Sequence, residues 1–382
     1  MFGIDVFSGA GGMSVGAGWA GIEVPIAIEL DPNAFATYAL NHPRSLVIRA
    51  DMQSVHDLHL PYDRDELVLF GGPPCQGFST SNQRTRGAAN EKNWLYRSFV
   101  GLVRQVRPGW VVFENVRGIL ETDGGRFADR VLADLKGCGY SVSSGLLNAV
   151  DFGVPQRRSR FFIIARLGGP APDLPSPCAI RPVTVGEAIG DLPDLDLGAC
   201  IDELPYAGPA TTGYAHMLRG TAETVTGNLV TSNAPYVVER YRSVPPGGNW
   251  ENIPEHLMAN YADRRRCHTG IYRRLRSDEP SVVIGNFRKN MLIHPTGDRG
   301  LSIREAARIQ SFPDSYRFVG TIGLRQQQVG NAVPPLLAKA VFSAIVAVRA
   351  RELSGGSAVA IEVDPQVAHV PDAPGSPRVV QA

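Results

Sequence analysis

Cysteine is scarce in this sequence. Among 382 residues it occurs only at Cys75, Cys138, Cys178, Cys200 and Cys267, with no C-x-x-C pair and no Cys/His spacing of a zinc site. A disulfide-stapled fold is excluded, and free thiols in a reducing compartment are expected. Excess charge is also lacking: Lys plus Arg total 38 against 37 for Asp plus Glu, so any nucleic-acid surface must be a local patch. Lys occurs only at Lys92, Lys136, Lys289 and Lys339, leaving Arg to carry the positive charge. Arg is the side chain whose planar fork suits phosphates and base edges. Long apolar runs are missing too, since the stretch after Pro335 is broken by Lys339 and Arg349, and no membrane span is expected. The N-terminus enters an apolar strand pattern without the basic and apolar regions of a signal peptide. A cytoplasmic location, in a prokaryotic cytosol, is the expectation. What is present is an ordinary globular composition, 43% hydrophobic and 20% charged, in a chain long enough for two domains.

Short β-branched runs at 3–7, 24–30, 46–50, 67–70, 111–114 and 160–165 alternate with segments of helical period. That alternation predicts an α/β fold, a doubly wound and mostly parallel sheet, with ligands beyond the carboxyl ends of its strands. Asp31 and Pro32 mark a helix start that Asn41-His42-Pro43 stops. The Pro- and Gly-dense stretch 168–182 reads as a change of domain. The expected organisation is a catalytic and cofactor-binding domain over 1–170, a second, smaller domain of irregular β character over 171–300, a returning segment over 301–353 with helices near 302–310 and 335–353, and a disordered tail over 354–382.

Four motifs carry chemistry. Asp5-Val6-Phe7-Ser8-Gly9-Ala10-Gly11-Gly12 runs from strand through a Gly-rich turn to helix, a place where a nucleotide can approach the backbone. Glu29 ends the next strand, where a carboxylate binds ribose hydroxyls, and Asp51 follows another. This spacing leaves nicotinamide dinucleotide and S-adenosylmethionine both open. Phe70-Gly71-Gly72-Pro73-Pro74-Cys75-Gln76-Gly77-Phe78-Ser79 leaves a buried strand and places a lone thiol at its carboxyl end like a nucleophile. Glu114, in Val111-Val112-Phe113-Glu114-Asn115-Val116, is a carboxyl group partly desolvated at a strand end, suited to proton donation. Arg158 and Arg160, alternating before an apolar strand, put two guanidinium groups on one face of an extended segment.

In this order, Phe7-Ser8-Gly9-Ala10-Gly11-Gly12, Pro73-Pro74-Cys75-Gln76, Glu114-Asn115-Val116, Gln156-Arg157-Arg158-Ser159-Arg160, Arg304-Glu305-Ala306-Ala307-Arg308-Ile309-Gln310 and Gln328-Val329-Gly330-Asn331-Ala332-Val333 resemble the motifs of the DNA (cytosine-5) methyltransferases. The resemblance spans about 3–353. It implies a Rossmann-like fold that binds S-adenosyl-L-methionine, with no metal, and methyl transfer to carbon 5 of a cytosine flipped out of double-stranded DNA. It implies Cys75 as the thiolate that adds to carbon 6, Glu114 at ring nitrogen 3, and Arg158 and Arg160 at the target cytosine. Gln76 and Ser79 would close over the flipped base. For the cofactor it implies Phe7 and Leu95 against adenine, Gly9, Gly11 and Gly12 in the loop, Glu29 on ribose, Asp51 on the adenine amino group, and Asn331 in the last motif. Leu30 departs from the family, which often has an aromatic residue there.

By the same resemblance 171–300 is the target-recognition domain, where Arg264, Arg265, Arg266, Arg273, Arg274, Arg276, Arg288 and Lys289 interleave with Tyr261, Tyr272 and Phe287. Arg264, Arg265, Arg273 and Arg274 are the expected DNA contacts. A monomer and a companion restriction endonuclease are the expected state and partner. A dehydrogenase leaves Cys75, Glu114 and the arginine pair unexplained. The alternatives of a transfer RNA methyltransferase and of an inactive DNA-binding relative stay open at this stage.

Overall fold

The structure, a computed structural model, describes residues 1–55, 58, 60–74, 95–261, 269–285 and 287–354, and the backbone alone of 379–381. The chain divides into two compact units. The first comprises Met1–Phe152, Ser159–Cys178 and the chain from Pro335; the second comprises Gly153–Arg158 and Ala179–Pro334.

In the first unit, strands β1 (Phe2–Val6), β2 (Glu23–Ile28), β3 (Leu46–Arg49), β4 (Leu67–Gly71) and β5 (Trp110–Val116) are mutually parallel, as βαβ connections require. Strands β6 (Tyr140–Asn148) and β7 (Ser159–Leu167) complete the sheet, whose order is β3-β2-β1-β4-β5-β7-β6, and β7 runs antiparallel to both its neighbours. The backbone of Val379–Gln381 pairs in parallel with β3. The four apolar residues that open β4, Leu67–Phe70, are each at most 2% exposed, the continuous run of a strand covered on both faces. Strand β6 was missed from sequence because, at the sheet edge, it buries only Tyr140 and Leu147 and shows no apolar run.

Helices α1 (Gly12–Trp19), α2 (Pro32–Asn41), α3 (Tyr96–Val106) and α4 (Arg126–Gly137) belong to this unit. Helix α2 starts as read: the Asp31 carboxylate accepts from the N–H groups of Asn33 and Ala34, both at 2.9 Å. The rest of the helices lie in the second unit, α5 (Val185–Ile189), α6 (Gly213–Arg219), α7 (Pro235–Arg242), α8 (Ile303–Ile309) and α9 (Ile322–Asn331), except for α10 (Pro335–Leu353), which returns to the first. Helix α10 packs against α1 and sets Phe342 edge-on to Phe70 of β4. The stretch 322–353 is apolar and long enough to cross a bilayer, contrary to the sequence reading, but α10 spends its apolar residues Leu337, Val341, Phe342 and Ile345 in the core.

The second unit corrects two expectations. Among its described residues the β content is one antiparallel pair of three-residue strands, β8 (Glu203–Pro205) with β9 (Thr224–Thr226), and the remainder is short helices and turns. Thr184 and Thr212 cap helices that the dense Gly and Pro punctuation concealed. Residues 301–334, expected with the returning segment, fall in this unit because α8 is bonded into it. The Arg308 guanidinium joins Asp314 at 2.6 Å and Asp191 at 3.0 Å, and Arg304 donates to the carbonyls of Thr226, Pro313 and Tyr316.

Candidate active site

The carboxyl ends of β1, β2 and β3 carry the first group of site residues. After β1 the chain turns sharply, with Phe7 at φ 56°, Gly9 at φ 55° and Gly11 at φ 81°. Gly11 caps α1 in the left-handed conformation that glycine adopts without strain, whereas Phe7 holds it at a cost. Glu29 fixes the turn: Oε2 accepts from Gly9 N at 2.7 Å and Oε1 from Asp31 N at 2.8 Å. Burial pushes the Glu29 carboxyl above its ordinary 4.5, although the N–H groups of Asp31 and Gly9 oppose the shift. The Ser8 hydroxyl in the same turn is buried with no hydrogen-bond partner among the described residues.

Around this turn, Gly12 is buried at the start of α1, Asp51 is exposed after β3 and accepts from Gln53 N at 2.9 Å, and Leu95 is half-buried before α3. Leu30 is largely exposed. Asn331 ends α9 and is exposed, in the second unit.

Sequence reasoning missed the support beneath this turn. Asp5 is buried in β1 and accepts from the Ser14 hydroxyl at 2.5 Å, and Ser14 Oγ in turn lies 2.7 Å from the Tyr38 hydroxyl. Burial holds the Asp5 carboxyl well above the usual carboxylate range. The signal was Asp5 itself, an acid inside an apolar run.

The second group gathers at the ends of β4, β5 and β7. Glu114 Oε1 forms an ion pair with Arg160 Nε at 2.9 Å, with the two side chains only 10% and 11% exposed. Antiparallel register explains the meeting, for β7 pairs Arg160 with Val116 and Phe162 with Glu114. Gly72, just beyond β4, leaves room for this acid: a Cβ there would stand 2.5 Å from Glu114 Oε2. Asn115 donates from Nδ2 to the Pro73 carbonyl at 3.3 Å, tying down the approach to Cys75. Cys75, Gln76 and Ser79 themselves lie outside the described residues.

Arg158 and Arg160 do not share a face. Arg158 belongs to the second unit and is wholly buried there, donating from Nη2 to the carbonyls of Gly330 at 2.9 Å and Ala332 at 3.0 Å at the end of α9. It braces the last motif rather than reaching for a substrate.

Of the expected DNA contacts, Arg264 and Arg265 lie outside the described residues and Arg273 is half-buried. Arg274 is a correction. It is 5% exposed, and all its donors are spent inside the unit, on the carbonyls of Val244, Tyr241, His294 and Gly297 and on Asp298. A cation so committed has nothing left for phosphate. Tyr272 and Phe287, read as interleaved aromatics, are likewise core residues.

A family model described as C-5 cytosine-specific DNA methylase matches residues 1–347. The chain is similar to the Type II methyltransferase M1.HphI of Haemophilus parahaemolyticus, at 35% identity over 91% of this chain and 87% of that protein. It is also similar to the Type II methyltransferase M.XorII of Xanthomonas oryzae, at 33% identity over 90% of this chain and 84% of the relative. DNA (cytosine-5)-methyltransferase 1 of Mus musculus matches at 30% identity over 88% of this chain, which spans 28% of that longer protein. Among solved structures, a DNA modification methyltransferase encoded within an E. coli prophage superposes with a TM-score of 0.73 at 28% identity, covering 91% of this chain and 98% of that one. The strand-end acid braced by an arginine, the glycine turn tied to a carboxylate and these likenesses agree, and the chain belongs to the C-5 cytosine-specific DNA methylase family.

Proposed function

We propose that the chain methylates carbon 5 of a cytosine extruded from a specific duplex DNA sequence, with Cys75 as nucleophile, Glu114 and Arg160 facing the pyrimidine and S-adenosylmethionine as donor. The observation that carries this reading is the Glu114–Arg160 pair, held beside Gly72 at the strand end that leads to Cys75.

The residues present fit the cofactor. An orphaned Ser8 hydroxyl, a turn with little side-chain bulk and a tethered carboxylate form a cradle for a nucleoside. Glu29 would hold the ribose, Asp51 the adenine amino group, and Phe7 and Leu95 the ring. Gly9, Gly11 and Gly12 would line the approach, with Asn331 contributed from the last motif. When bound, S-adenosylmethionine supplies a methyl carbon activated by its sulfonium.

Carbon 5 of cytosine is too electron-poor to take that methyl unaided. Addition of the Cys75 thiolate to carbon 6 pushes the ring's electrons toward carbon 5 and nitrogen 3. Glu114 stabilises this adduct by holding a proton at nitrogen 3, and Arg160 keeps the acid in place while offering N–H donors to the ring carbonyl. Once carbon 5 is methylated, loss of its proton restores the double bond to carbon 6 and expels the thiolate. A stacked base is not open on both faces to a thiol and a methyl donor, so the base must leave the helix.

The second unit supplies recognition in this reading, with Arg273, Arg264 and Arg265 as candidate phosphate contacts. Protection of DNA from a companion restriction endonuclease suits the type II names of the relatives, and the same reading takes the chain as a monomer in the prokaryotic cytosol. The test is methyl incorporation into duplex DNA and transfer RNA by wild type, Cys75→Ala and Glu114→Gln. Wild type is expected to label DNA alone and to be trapped on a 5-fluorocytosine duplex. Cys75→Ala is expected to lose transfer while still binding S-adenosylmethionine. Undiminished turnover by Cys75→Ala would remove it as the nucleophile.

A further inference from the structure

The second unit contains a hollow of about 470 Å³ for which the chemistry above has no use. It is lined by Phe287 and Leu292, both buried, and by the polar side chains of Thr231, Arg288, Lys289 and Gln326. Gln326, on α9, is 4% exposed. Its Nε2 donates to Thr231 Oγ1 at 3.0 Å, while Oε1 is buried with no hydrogen-bond partner among the described residues. An acceptor withdrawn from water and left unmatched lowers stability, and such a group is explained when a ligand supplies the missing donor.

Arg288 is the second observation. It is exposed and lies across the start of α9, with Nη1 3.1 Å from where a Cβ on Gly323 would stand, one turn before Gln326. Arg274 and Arg276, like Arg299 and Arg308, are each paired with a carboxylate, whereas the Arg288 side chain has neither hydrogen bond nor ion pair among the described residues. Leu292 N donates to the Phe287 carbonyl at 3.0 Å and Met291 N to the Arg288 carbonyl at 3.2 Å, closing the turn that bears it. A turn that carries a cation with no partner among the described residues, near an unmatched acceptor, is suited to receive something with a donor and a negative charge close together.

A nucleotide within duplex DNA has that chemistry. Adenine and cytosine each present an exocyclic amino donor in the major groove, with the phosphate nearby. Resting on the reading of this chain as a DNA methyltransferase, we propose that the hollow is a sequence-reading pocket. Gln326 Oε1 accepts from the amino group of an adenine or cytosine at the recognition site, and Arg288 with Lys289 holds the adjacent phosphate.

The test is base-resolution methylation of a duplex library randomised around cytosine, by wild type, Gln326→Met, Gln326→Glu and Arg288→Ala full-length chains. Wild type is expected to show a defined site that includes an adenine or cytosine position. Gln326→Met is expected to lose about ten-fold in kcat/KM on that site and to accept any base at that one position. Gln326→Glu, which keeps an acceptor, retains the preference. Arg288→Ala weakens all sequences alike and flattens the dependence of binding on salt. In wild type alone, replacing the read base with an analogue lacking its amino group costs the same ten-fold, so the proposal is testable even where a variant folds poorly. Unchanged sequence preference in Gln326→Met, or indifference of wild type to the amino group at every recognition position, overturns the pocket. A wild type that methylates no DNA overturns instead the reading beneath it.

Discussion

Replacing Gly72 with alanine adds one methyl group against the acid that the proposed chemistry depends on. No left-handed backbone is required at Gly72, so the strain is local: the new Cβ would stand 2.5 Å from Glu114 Oε2, where ordinary contact begins near 3.4 Å. The carboxylate must retreat by about 0.9 Å, and the Arg160 Nε on its other oxygen, at 2.9 Å, must follow or be lost. A misplacement of about 1 Å at a reacting group costs about 10²-fold in rate, equivalent to about 2.7 kcal/mol of transition-state stabilisation. The expected result is a kcat about 100-fold lower in Gly72→Ala, with affinity for S-adenosylmethionine unchanged because Glu29 and its turn lie on other strands. Stability should fall by about 1–3 kcal/mol, as for other overpacked sites. Gly101→Ala is the control, since Gly101 lies within α3 and a Cβ there meets no atom within 4 Å. That variant should gain about 0.5–1 kcal/mol and keep full activity. Single-turnover methyl transfer to a duplex substrate, with cofactor affinity by calorimetry and stability by urea titration, separates these quantities. A Gly72→Ala enzyme within about threefold of wild-type kcat would falsify the assignment of Glu114 Oε2 to the reaction, since the 10²-fold penalty would be missing.

Glu29 gives a pH-dependent prediction. Its folded-state pKa is raised above 4.5 by burial, so the stability it contributes is fully present below 4.5 and is lost as pH rises through the folded value. Above that window cofactor-free Glu29→Gln should therefore be more stable than wild type, converging with it in acid, while its affinity for S-adenosylmethionine drops about ten-fold or more for want of a charged acceptor. Urea midpoints across pH that stay parallel for the two proteins would contradict this. Arg308→Met should destabilise the second unit by about 3–5 kcal/mol, because it strands Asp191 and Asp314 without their cation in the interior. A loss of under about 1 kcal/mol in denaturant unfolding would mean that neighbouring donors compensate the two acids.

Most of the sheet was legible because its strands are buried on both faces and so read as unbroken apolar runs. Strands β1 through β5 and β7 fall within two residues of their expected ends, whereas β6, lying at an edge, hides among polar residues. The candidate site was legible in so far as a polar residue interrupts such a run, as Glu29 does after β2 and Glu114 within β5. Arginine defeated the reading. Arg158, Arg160, Arg274 and Arg288 look alike in sequence, yet one braces a helix end, one pairs with the candidate-site acid, one gathers carbonyls in the interior and one has no side-chain partner among the described residues. Which of these an arginine does depends on carbonyls and carboxylates distant in the chain, and local pattern contains no trace of them.

Helix α10 has a consequence for synthesis. It begins at Pro335 and packs on α1, which starts at Gly12. A nascent chain leaving the ribosome therefore displays the apolar flank of α1 until the residues from Pro335 have emerged. Strands β1 through β5 emerge early, but termination before Pro335 leaves α1 without the helix that covers it.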